Sequence, residues 1–169
     1  KGLSNDVEVL IEEDFESGTA NGWNDNTVDQ SGTELGNFLG RFAGTGTAGL
    51  QSVYKTYNFG KHNAGNTVMI EFDMYEIDSW DNENFRTFVN DEMLVDETMS
   101  YLTQTGEALE GNVFWSYDDE KHHFTVSGIV DGNGNVITSG GTMTAGGGYG
   151  LSGTCIGACG SGGPAAINA

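Results

Sequence analysis

An all-β fold, specifically an antiparallel β-sandwich, is what this sequence predicts, and three observations predict it. Helix formers are scarce, while Gly supplies 27 of 169 positions and Pro only one. Short segments of alternating apolar and polar residues recur along the chain. Between them lie clusters of Gly, Asn, Asp and Ser, the residues of tight turns.

In chain order, Val7 to Phe15 reads as a strand with partial alternation. Ser17 to Gly36 is polar and turn-rich, with Trp23 as its large anchor. Phe38 to Phe42 predicts a short strand, and Leu50 to Phe59 another, carried by Val53, Tyr54, Tyr57 and Phe59. The clearest strand runs from Thr67 to Ile77, where Val68, Ile70, Phe72 and Met74 alternate with Met69, Glu71, Asp73 and Tyr75. Phe85 to Val89, Met93 to Val95, Val113 to Tyr117 and Lys121 to Val130 follow. Asp131-Gly132-Asn133-Gly134-Asn135 then predicts a hairpin turn into Val136-Ile137-Thr138. About nine short strands at regular spacing are the pattern of a sandwich.

Two regions follow from composition: a sandwich domain over 1–138 and a Gly-rich segment over 139–169. The segment has few large apolar groups to offset its own ordering entropy. To be ordered it needs the sandwich, a disulfide or a neighbouring molecule to hold it.

Charge narrows the partners. Twenty-five Asp and Glu against 6 Lys and Arg give a formal net charge of −19. Such a surface repels phosphate backbones and anionic lipid, so nucleic acid is not an expected partner. No apolar run approaches the roughly 18 residues of a membrane-spanning helix, so no membrane insertion is expected.

The carboxylates are either a solvated acidic surface or ligands for cations. A strand ending near Ile77 delivers a loop bearing Asp78, Asp81 and Glu83 around Trp80. Closely spaced carboxylates of this kind can supply several of the six to eight oxygens that Ca²⁺ takes. Asp14 and Glu16, in Glu13-Asp14-Phe15-Glu16-Ser17-Gly18, form a second knot of oxygens. The expected metal ligands are therefore Asp14, Glu16, Asp78, Asp81 and Glu83. The spacing is not that of an EF-hand.

Asp14-Phe15-Glu16-Ser17-Gly18 with Gly22-Trp23, then Phe38-Leu39-Gly40-Arg41-Phe42, then Phe72 to Phe85, resemble a laminin-G/lectin-like sandwich module. Such modules recur in calcium-rich surface proteins and adhesins of aquatic bacteria. The resemblance covers roughly Glu13 to Asp91 and implies a jelly-roll with structural calcium and a role in adhesion or glycan contact. The chain departs from that pattern in its Gly-rich segment with a cysteine pair. A weaker resemblance links Glu71-x-Asp73-x-x-Glu76 to the catalytic strand of laminarinase-like glycoside hydrolases. It implies a retaining pair of glutamates, but three acids in so acidic a chain are a small match, and no enzyme activity is expected.

Trp80 and Tyr75 are the candidates for stacking on a sugar ring, with core packing as the other reading; packing is favoured for Trp23 and Trp115. His122 and His123 are neighbours in a strand and face opposite ways, so they cannot chelate as a pair. Cys155 and Cys159 lie four apart among glycines, which let the backbone bend to disulfide geometry. A metal site is the competing reading, but a second pair or a nearby His is lacking. A Cys155–Cys159 disulfide is favoured, and with it an oxidising, extracellular setting. The expectation is a secreted or cell-surface subunit, stabilised by Ca²⁺, that adheres or self-assembles. A calcium-dependent carbohydrate-binding module partnering surface glycans is the alternative, and a glycoside hydrolase the last.

Overall fold

The computed structural model describes residues 10–29, 35–42, 52–77, 80–100, 102–109, 119–143 and 165–168. At residues 41, 42, 52, 81, 83, 141–143 and 165–168 it describes the backbone alone. Ten strands form among these residues: β1 Val28–Asp29, β2 Phe38–Phe42, β3 Ser52–Asn58, β4 Thr67–Glu76, β5 Asp81–Val89, β6 Glu92–Ser100, β7 Glu107–Ala108, β8 Glu120–Ile129, β9 Asn135–Met143 and β10 Ala165–Asn168. They build two antiparallel sheets, ordered β1-β2-β10-β4-β8-β7 and β3-β9-β5-β6. The protein is a β-sandwich.

The alternation read over Thr67 to Ile77 sets the inner face. Phe72 and Met74 are buried, with Leu39 and Val126 beside them in the same sheet. The facing sheet contributes Val53, Phe85, Val89, Val95, Met99 and Val136. Phe72, Phe85 and Phe124 join the layers, with ring centroids 5.3–6.2 Å apart. Tyr75, expected on the polar face, is buried as well, because that end of the six-stranded sheet is covered on both sides. There Tyr75 packs edge-on to Phe38 at 5.7 Å, together with Ile77, Leu35 and Leu109.

Three sequence expectations need correction. Residues 10–15 form no strand: Phe15 adopts φ 58° and its carbonyl accepts from Gly18 N–H at 2.8 Å, turning the chain. The segment is fastened by side chains instead, through Glu13, which accepts from Lys55 Nζ, Trp23 Nε1 and Tyr57 Oη. Second, Asp131–Asn135 is not a hairpin turn. β8 belongs to one sheet and β9 to the other, so the turn carries the chain across the sandwich. Asp131 Oδ1 accepts from Asn133 and Asn135 N–H at 2.8 Å each, and Gly134 docks its carbonyl onto Phe59 N–H at 2.7 Å. Third, the boundary placed after Thr138 falls inside β9, and β10 lies within the six-stranded sheet, paired to β2 on one side and β4 on the other. The expected strand Val113 to Tyr117 lies outside the described residues, as does Val7 to Val9.

Candidate functional site

The register of β4 against β8 sets the most unusual group of side chains. Glu76 lies opposite Glu120, and Met74 opposite His122. Residues two apart share a face of a strand, so Glu76, Glu120 and His122 all point inward with Phe72 and Met74. A core position is a costly place for charge. Glu76 and Glu120 are each 3 % exposed, and the His122 side chain 9 %.

One nitrogen serves both acids. His122 Nε2 lies 3.0 Å from Glu76 Oε2 and 3.5 Å from Glu120 Oε2. Glu120 Oε2 also accepts from the backbone N–H of Thr105 at 3.1 Å and of Gly106 at 2.6 Å. Gly106 fits closely here: a Cβ would stand 2.8 Å from the His122 ring and 2.9 Å from Glu120 Oε2, so one of them would have to shift. The imidazole lies nearly parallel to the Phe124 ring, with 6.4 Å between centroids. Burial holds the Glu76 carboxyl above its usual range. The hydrogen bond and charge of His122 work against that rise, and the nearby Glu120 and Asp119 add to it. Beside the cluster, an open cleft of about 380 Å³ is lined by Glu97 and Met99 of β6, Thr105, Gly106 and Glu107, and Lys121 to Phe124 of β8.

The residues singled out in the sequence are placed differently. Asp14 Oδ1 accepts from Glu16 N–H at 3.1 Å, a local turn. Glu16 Oε1 accepts from Asn37 N–H at 2.9 Å, fixing the turn before β2. Asp78 lies outside the described residues, as do the side chains of Asp81 and Glu83. Trp80 is fully buried and Tyr75 is 5 % exposed, so neither presents a ring face to a sugar. Among the described residues, Trp80 Nε1 has no hydrogen-bond partner. Glu71 is exposed and Glu76 buried on the opposite face of one unbroken strand, so the two-glutamate geometry of a retaining glycosidase is not formed. Trp23 packs against the core, as favoured. Cys155, Cys159 and Trp115 lie outside the described residues.

His123, as the alternation requires, faces away from His122 and pairs with Asp73 at 2.8 Å. Excluding His122 and His123 as a chelating pair left the two acids beside His122 unnoticed. Glu120-x-His122 was the available signal, since that spacing puts a carboxylate and an imidazole on one face. No family model, curated protein or solved structure matches the chain.

Proposed function

We propose that this chain is an extracellular, self-assembling surface subunit in which β10 of one copy completes the sandwich of the next. The observation that carries the reading is the position of β10, four residues following the Gly-rich stretch 144–164, with partners on both edges. Ala165, Ala166 and Ile167 pair with Glu76, Tyr75 and Met74 of β4, and Ile167 also with Leu39 of β2. Main-chain hydrogen bonds on both sides supply affinity to a strand with small side chains. A strand that fits its own groove fits the same groove of a second copy, so exchange is a low-cost route to assembly, and a head-to-tail series whose rotation does not close extends as an open polymer. Subunits of net charge −19 repel one another. Divalent cations, Ca²⁺ among them, are expected to favour assembly.

Light scattering on the full chain and on a chain ending at Pro164, each at high concentration with and without Ca²⁺, tests the reading. Polymers from the full chain and none from the shortened one are expected. A full chain that stays monomeric throughout, or a shortened chain that polymerises equally, overturns it.

A further inference from the structure

We propose that Glu76, Glu120 and His122 form a binding site for one divalent transition-metal ion of the Zn²⁺ class. The inference stands apart from the assembly reading, because it uses neither β10 nor the Gly-rich segment.

Convergence is the first argument. Each of the three residues offers a donor atom, and these atoms all lie within 4.8 Å of one another. Zn²⁺ bonds of about 2.0–2.2 Å at tetrahedral angles place neighbouring donors roughly 3.3–3.6 Å apart. The separations from His122 Nε2 to the two carboxylates are 3.0 and 3.5 Å. Small side-chain adjustments would admit the ion, with no movement of β4 or β8.

Charge is the second. Two buried carboxylates share a single imidazole, so when both acids are ionised even a protonated His122 leaves the trio at −1. Buried ions are tolerated when their charge is balanced. The described cations that could help are engaged elsewhere: Lys55 with Glu13, Arg86 with Asp96 and Lys121 with Glu107. With neutral His122, a dipositive ion balances the two carboxylates and brings the sum to zero.

The support is already in place. Thr105 and Gly106 fix Glu120 through backbone N–H groups, and Phe124 lies alongside the His122 ring. Outer contacts of this kind orient ligands before a metal arrives. His122 lines the cleft, which gives an ion a way in and water a place to complete the shell.

Donor chemistry selects the ion. Ca²⁺ takes six to eight oxygens, whereas an imidazole nitrogen with two carboxylates suits Zn²⁺ and its neighbours. The ion class thus differs from the calcium that the carboxylate loops suggested.

The full chain, stripped with a chelator, should be titrated with ZnCl₂ and separately with CaCl₂ by calorimetry, with Cys155 and Cys159 alkylated. One equivalent of Zn²⁺ is expected, bound at least tenfold more tightly than Ca²⁺. H122Q and E76Q should each weaken Zn²⁺ binding at least tenfold while keeping the far-ultraviolet circular dichroism of the parent. H123Q, on the outer face, should bind as the parent does. Should either core variant fail to fold, the Co²⁺ adduct of the unaltered chain reads the ligands directly. Visible bands of nitrogen and oxygen coordination without thiolate charge transfer are expected. Absence of stoichiometric Zn²⁺ binding, folded H122Q and E76Q variants with parental affinity, or a thiolate band that accounts for the bound metal each overturns the site. Tighter binding of Ca²⁺ than of Zn²⁺ overturns the ion class.

Discussion

Asn90 grips Ile137 twice: its backbone N–H donates to the Ile137 carbonyl at 2.8 Å, and its Oδ1 accepts from Ile137 N–H at 2.9 Å. Its Nδ2 donates to the Ile129 carbonyl at 2.7 Å, in the opposite sheet. With Asp91, it forms the two-residue turn between β5 and β6, at φ 49° and 66° respectively. One side chain therefore ties a turn to both layers, and does so from a conformation that Asn tolerates better than most residues.

Asn90→Ala is expected to lower stability by about 2–3 kcal/mol, from two lost side-chain bonds and a strained φ. Asn90→Gly relieves the strain and should cost clearly less. Urea denaturation of both variants checks the order, and equal losses would show that backbone strain does not contribute.

Glu13 and Lys55 form an ion pair with side chains 17 % and 14 % exposed, and Lys55 also donates to the Asn21 carbonyl at 2.8 Å. Lys55 Nζ lies 5.2 Å from the centre of the Tyr57 ring. Removing one partner of a mostly buried pair leaves the other uncompensated, so Glu13→Gln should destabilise by about 3 kcal/mol. Replacing both by apolar residues of similar size should recover part of the loss. A Glu13→Gln midpoint equal to the parent's would show that the pair contributes nothing.

Tyr57 gives the fold an alkaline limit. Burial, and then the Glu13 carboxylate beside it, raise its pKa far above the ordinary tyrosine value. The folded chain thus holds this proton more tightly than the unfolded chain does. The associated stability is complete below about pH 10, where free tyrosine ionises, and is lost as the pH rises beyond it. Thermal melts from pH 8 to 11.5 should show the parent losing stability faster than Tyr57→Phe. Parallel curves would contradict the assignment.

Gly134 is the point where the crossing turn meets the other sheet. Its φ is 87°, and a Cβ would stand 2.3 Å from the Gly60 carbonyl carbon. Gly134→Ala should cost about 2–3 kcal/mol through strain and a displaced backbone. Gly132→Ala, where a Cβ meets nothing within 4 Å, should be close to neutral. Comparable losses at both positions would count against docking as the cause.

The fold was legible wherever one face of a strand met the core and the other met solvent. Val68, Ile70, Phe72 and Met74 announced β4 in this way, and Phe38–Phe42 matched β2 in both bounds. Residues 10–15 misled because their apolar residues suggest a strand, while their actual hold is the polar grip of Glu13. The Asp131–Asn135 turn misled because turn chemistry is the same whether the next strand joins the same sheet or crosses to the other. The Glu76–Glu120–His122 cluster was half visible. The Glu120-x-His122 spacing is local, but Glu76 joins it only through the register of two strands far apart in sequence. For Trp80 the sequence left sugar stacking and core packing both open, and the ring is buried, since polar neighbours in sequence need not be neighbours in space.

The pairing of Leu39 with Ile167 also orders events in time. β2 and β4 are synthesised early, but the strand that separates them is the last described one to leave the ribosome. Until then each holds an open edge with unpaired backbone groups, the kind of surface that recruits other chains. Contacts this distant in sequence also make folding slow. The nascent chain therefore spends its synthesis unable to complete its own sheet, which makes a ribosome stalled near residue 164 a source of sticky, unfinished chains.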